Sequence, residues 1–170
     1  MDRTRIAVPL LGVFAAVLLS GCIAGEVPER GGGIGVSVDA QERAVVVVHA
    51  CEPAPLTVSL ALGREGLAPG ETNEAVGAWT ASAPVAATTE LALHDPGAGW
   101  EGDPVELLGA RSYVADGSVG GQGSLGTVAF RYADLARMEP GSVYVNGTDP
   151  DAVEMVRLSV EEFASRACPS

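Results

Sequence analysis

The stretch Ile34–Cys51, "IGVSVDAQERAVVVVHAC", decides the fold class. Ile34, Val36 and Val38 alternate with Gly35, Ser37 and Asp39, the period of two that turns one side of an extended strand toward a core and the other toward water. The polar Gln41-Glu42-Arg43 interrupts that pattern. "AVVVVHAC" then runs on as an almost unbroken apolar segment, which reads as a more deeply buried strand. Two extended segments joined by a short polar turn predict a hairpin, so the folded part of the chain opens with antiparallel sheet.

Outward from this hairpin the same period recurs. Pro53 and Pro55 mark a bend, and "LTVSLAL" then aligns Leu56, Val58, Leu60 and Leu62 on one face. "AVGAWTA" around Trp79, "TTELALH" through Leu91 and Leu93, "GTVAFRY" through Val128, Phe130 and Tyr132, and "SVYVNG" are further short strands. In "AVEMVRLS" the apolar side changes at Met155 and Val156, as it does at a bulge. "DGSVGGQGSLG" reads as a long flexible loop; it has neither the lysine nor the following helix of a phosphate cradle. Helix is expected only at the C-terminus, where Ser159 and Glu162 form a capping box and Val160, Phe163, Ala164 and Ala167 share a face. The expected fold class is all-β: an antiparallel, immunoglobulin-like β-sandwich with a short C-terminal helix.

One local motif points the same way. In "MEPGSVYVNG", Met138, Pro140, Gly141 and Tyr144 resemble the tyrosine corner of fibronectin type III and immunoglobulin-like sandwiches. The resemblance implies that the Tyr144 hydroxyl bonds backbone a few residues upstream and locks an arch between sheets. It departs from antibody domains, because Asn146 stands where their second cysteine would be. It bears on fold and not on function.

The N-terminus has a different character. Arg3 and Arg5 precede an apolar run from Ile6 to Leu19, too short to cross a bilayer comfortably, since about 20 apolar residues are needed. Leu19-Ser20-Gly21-Cys22 follows and resembles the lipobox of bacterial lipoproteins, in which the cysteine is acylated and the preceding peptide removed. The organisation expected from this is a signal peptide over 1–21, a flexible tether over 22–33 and one domain over 34–170. The resemblance implies a membrane anchored through the lipid on Cys22, with the domain on the extracytoplasmic face.

Charge and composition narrow the function classes. The chain of 170 residues has a formal net charge of -12, and loss of Arg3 and Arg5 with the leader makes it more acidic still. Such a surface repels nucleic acid and anionic lipid, so acyl chains rather than a basic patch would hold it to a membrane. There is no lysine, which excludes a Schiff base, a P-loop lysine and a Ser-x-x-Lys pair. With Cys22 carrying lipid, Cys51 and Cys168 remain as an even pair outside the reducing cytosol, and a disulfide between them is expected.

Few residues offer chemistry. His49 and His94 lack the spacing of a zinc site, and no G-x-S-x-G surrounds any serine. No metal and no cofactor is expected. "HDPGAGWEGDP" gathers Asp95, Glu101 and Asp103 around Trp100, a candidate contact point for a partner, a sugar ring or a cation; covering the sandwich edge is the alternative use of that indole. Trp79, in an apolar segment, is expected to face the core and Tyr144 to serve the fold. The leading expectation is a non-enzymatic, lipid-anchored module that binds another envelope protein or a ligand. The alternatives are an enzyme or enzyme accessory acting on cell-wall polymer, with Asp95, Glu101 and Asp103 as acid and base, and a structural spacer.

Overall fold

The hairpin read from Ile34–Cys51 is formed by β1 (Gly32–Val38) and β2 (Ala44–Ala50) in a computed structural model that describes residues 31–120, 123–147 and 154–169. Their antiparallel register is unbroken from Gly32 opposite Ala50 to Val38 opposite Ala44. The expected signal peptide, Cys22 and most of the expected tether lie outside the described residues. The first strand starts at Gly32, two residues ahead of the expected domain boundary.

The described residues hold eight further strands: β3 (Leu56–Leu62), β4 (Ala75–Ala81), β5 (Thr88–Ala92), β6 (Trp100–Glu101), β7 (Ser112–Val119), β8 (Gly123–Arg131), β9 (Val143–Asn146) and β10 (Met155–Leu158). Two short helices, α1 (Tyr132–Leu135) and α2 (Val160–Ala167), accompany them. The strands form two five-stranded antiparallel sheets, ordered β10-β9-β1-β2-β5 and β6-β4-β3-β7-β8. The fold is therefore an all-β sandwich with a short C-terminal helix. Its core fills the space between the sheets, with Val36, Val46, Val58, Leu91, Val128 and Phe130 at most 1% exposed.

A second apolar layer explains the unbroken valines of β2. Ala44, Val46, Val48 and Ala50 face the inter-sheet core, whereas Val45 and Val47 face outward and pack with Val143, Leu158 and Phe163. Helix α2 lies over this outer face. Its start is set by Ser159, whose hydroxyl accepts the Glu162 N–H while the Glu162 carboxylate accepts the Ser159 N–H, so two otherwise unpaired donors are satisfied. Phe163 and Ala167 are its buried residues, and covering one phenyl ring contributes about 2–3 kcal/mol. Close approach depends on Gly33: a Cβ there would come within 2.8 Å of the Ala167 Cβ.

The same covered face corrects the bulge expected at Met155 and Val156. β10 pairs with β9 in continuous register from Met155 opposite Asn146 to Leu158 opposite Val143. Met155 packs on the inner core and Val156 on the outer cluster, so simple alternation suffices when both faces are apolar. The expected loop "DGSVGGQGSLG" is also corrected. Ser112–Val119 is a central strand between β3 and β8, and Gly123 already belongs to β8. Gly117 concealed the alternation, because its face carries no side chain and Leu125 fills the space; a Cβ on Gly117 would meet the Leu125 Cδ1 at 2.6 Å.

Cys51, just beyond β2, is bonded to Cys168, the C-cap of α2, with a sequence separation of 117 residues. The pairing expected from parity and compartment is thus present.

Candidate functional site

Of the candidate residues around Trp100, the carboxylates are exposed but the indole is not presented. Trp100 is 7% exposed, on β6, and its indole N–H donates to the Glu90 carbonyl of β5 at 3.0 Å. Since β6 belongs to one sheet and β5 to the other, the indole closes the open edge of the sandwich. The glycines and carboxylates around it are exposed while the ring is not, and that is why the loop composition was misleading. Trp79 faces the core as expected, 1% exposed, with its N–H donating to the Asp103 carbonyl at 3.0 Å.

Asp95, Glu101 and Asp103 are exposed. Asp95 lies in the turn after β5, Glu101 sits opposite Thr80 at the sheet edge, and Asp103 contributes its main-chain carbonyl to Trp79. Among the described residues no group of three or more His, Cys, Asp and Glu side chains is arranged to hold a metal ion. His49 accepts or donates a 2.8 Å bond with the Thr88 hydroxyl, depending on its tautomer. His94 is different: its Nδ1 is buried with no hydrogen-bond partner, and its Nε2 lies 4.0 Å from Asp39 Oδ2.

Tyr144 is buried, and its hydroxyl accepts the Glu139 N–H at 3.0 Å, five residues upstream. Tyr113 makes the same contact, which the sequence reading passed over. Its hydroxyl accepts the Leu108 N–H at 2.7 Å and donates to the Leu108 carbonyl at 3.2 Å, while its ring stacks on Phe130 with centroids 5.7 Å apart. The available signal was an apolar residue followed by a small-residue turn before the tyrosine, without the Pro-Gly that marks Tyr144. Asn146 clamps the neighbouring sheet: its side-chain amide bonds both the N–H and the C=O of Ala129 on β8, at 2.7 and 2.9 Å.

Beside His94 lies a cleft of about 490 Å³ that no single sequence segment announces. Its walls are the β1–β2 turn (Gln41 to Ala44), Leu93 and His94 after β5, Val105 to Leu107, and Tyr132 with Leu135 of α1. The turn is ordered by Asp39, whose carboxylate accepts the N–H groups of Gln41 (2.8 Å) and Arg43 (3.0 Å) and the Arg43 Nε–H (2.9 Å). Partial burial pushes the Asp39 carboxyl up, but the Arg43 and Gln41 backbone N–H groups and the Arg43 guanidinium outweigh it and hold the group below its ordinary value. At the same end of the sandwich the Ser112 hydroxyl lowers Glu65 by hydrogen bonding to its carboxylate.

Asp39→Ala is expected to cost about 1–3 kcal/mol at pH 7, through the loss of hydrogen bonds to a charged acceptor. Because the folded state holds Asp39 below its ordinary value, its stabilisation is present above the unfolded value of about 3.9 and is lost as pH falls through the folded value. Urea melts of both proteins between pH 7 and pH 2 measure this; a deficit that stays constant over the range would contradict it.

No protein-family model matches the chain, and neither a curated protein nor a solved structure matches it.

Proposed function

We propose that the protein is a lipid-anchored, extracytoplasmic and non-enzymatic binding module with an immunoglobulin-like sandwich, which engages an envelope protein or ligand through the end remote from its tether. The observation that carries this reading is the polarity of the domain. The chain enters at Gly31, whose C=O accepts the Cys51 N–H and whose N–H donates to the Ser124 carbonyl, both at 3.0 Å. The cleft beside His94 lies past the other end of β1, and a seven-residue strand separates the two ends by about 20 Å. A lipid on Cys22 would hold the domain by its Gly31 end and leave the cleft at the end remote from the attachment. Support for the anchor comes from Arg3, Arg5, the apolar run and Leu19-Ser20-Gly21-Cys22 in their order.

Cys22→Ala is expected to abolish lipid labelling and to release the protein from the membrane fraction. A variant that stays with membranes and still carries the label would overturn the anchor. Pull-down of the native lipoprotein from detergent-solubilised membranes then separates a binding module, which recovers a reproducible partner, from a spacer, which recovers none.

A further inference from the structure

We infer that the cleft beside His94 docks a basic segment of a partner polypeptide that carries an apolar anchor, an inference that rests on the binding-module reading above. Five features of the described residues meet there. Leu108, 65% exposed, and Tyr132, 42% exposed, are the large apolar side chains left in solvent, and both belong to this end of the sandwich. Tyr132 lines the cleft, and Leu108 follows Leu107, which lines it too. Exposed apolar groups collected at one place mark a contact surface more than scattered ones do.

Leu108 is displayed by a rigid support. Its N–H and C=O are both held by the buried Tyr113 hydroxyl, so the side chain projects from a backbone that the core fixes. Gly109 lies against the Tyr132 ring. A preordered anchor loses little freedom on binding, which favours affinity.

Backbone strain is also concentrated here. Among the described residues two non-glycines have positive φ: Glu42, at 60°, in the turn that walls the cleft, and Ala110, at 59°, in the segment that presents Leu108. Side chains rarely adopt that conformation, and such positions gather where a surface is shaped for contact. The buried, unpartnered Nδ1 of His94 is a further departure from satisfied polar burial at this one end of the domain.

Charge selects the partner. Arg43 is paired with Asp39 at 2.8 Å, whereas Glu42 and Glu106, both exposed on the cleft, have no ion-pair partner among the described residues. No arginine occurs between Arg64 and Arg111, a span whose titratable side chains apart from His94 are all carboxylates. With Arg43 neutralised by Asp39, the unpaired Glu42 and Glu106 beside Leu107 and Tyr132 suit a segment in which Arg or Lys stands close to an aliphatic or aromatic residue. The cation pairs with Glu42 and Glu106, and the apolar side chain packs on Leu108 and Tyr132.

Site-specific photocross-linking in the native cell tests this with the full chain. Leu108→p-benzoylphenylalanine is the cleft probe, and Glu52→p-benzoylphenylalanine, on the exposed segment beside the Cys51–Cys168 bond, is the probe at the opposite end. The cleft probe is expected to form a protein adduct whose cross-linked peptide holds an apolar residue beside Arg or Lys. Combining it with Glu42→Arg and Glu106→Arg is expected to lower adduct yield about tenfold, with the Gln pair intermediate and melting unchanged. An adduct peptide lacking a basic residue, or a yield indifferent to charge reversal, overturns the inference. Adducts from the Glu52 probe alone overturn the cleft but leave the binding module standing. Failure of both probes overturns the cleft and counts against the module as well.

Discussion

Trp100→Ala is expected to destabilise the domain by about 3–5 kcal/mol, as much as Trp79→Ala, because both indoles are large buried groups whose removal leaves cavities. The two rings do related work from neighbouring strands of one sheet. Trp79 projects from β4 into the core, and its N–H ties the Asp103 carbonyl of the chain that follows β6. Trp100 projects from β6, hydrogen-bonded to β4, and its N–H reaches the Glu90 carbonyl on β5 of the other sheet. Without that indole the edge between the sheets opens, and water reaches Leu91 and Leu93, now at most 1% exposed. Trp100→Phe retains most of the packing and loses only the donor, so it is expected to cost about 1 kcal/mol beyond any repacking. Because the chain contains only two tryptophans, unfolding is followed by far-ultraviolet circular dichroism rather than fluorescence. A Trp100→Ala protein within about 0.5 kcal/mol of the parent, the usual range for surface positions, would show the ring to be dispensable to the fold.

Replacing Cys51 and Cys168 together by serine is expected to cost about 4–5 kcal/mol, the chain-entropy value for a loop of this length. Loss is expected to begin at α2. The helix has eight residues, too few to persist alone, and it holds to the sheet through Phe163, Ala167 and the bond at its C-cap. Its amides are therefore expected to exchange with solvent by local opening in the variant and only by wider unfolding in the parent. Urea denaturation and hydrogen exchange read the two effects separately. A loss below about 1 kcal/mol with α2 exchange unchanged would show that the packed face suffices without the cross-link.

Much of the architecture was legible from short-range pattern. The alternation in Ile34–Val38, the valine run of β2 and the Ser159–Glu162 capping box each lie within a few residues, and each has one physical reading. What pattern misread follows from burial on both faces. Val156 looked like a bulge because α2, which covers the outer face, is not visible from the strand itself. Ser112–Val119 looked like a loop because Gly117 leaves its inward position to Leu125, a residue of the next strand. The Tyr113 contact went unnoticed for want of Pro-Gly, although its hydroxyl bonds the residue five positions back just as that of Tyr144 does.

By itself the sequence determined the alternating strands, the antiparallel class, the terminal helix and its cap, and the even pair of cysteines, since these depend on neighbours along the chain. Only the tertiary structure decided that both tryptophan settings are buried and where a cleft lies. The indole of Trp100 is enclosed by a strand of the opposite sheet. The cleft assembles Glu42, His94, Glu106 and Tyr132 from four separate connections. Such placements depend on sheet packing, which brings together residues that no local period relates.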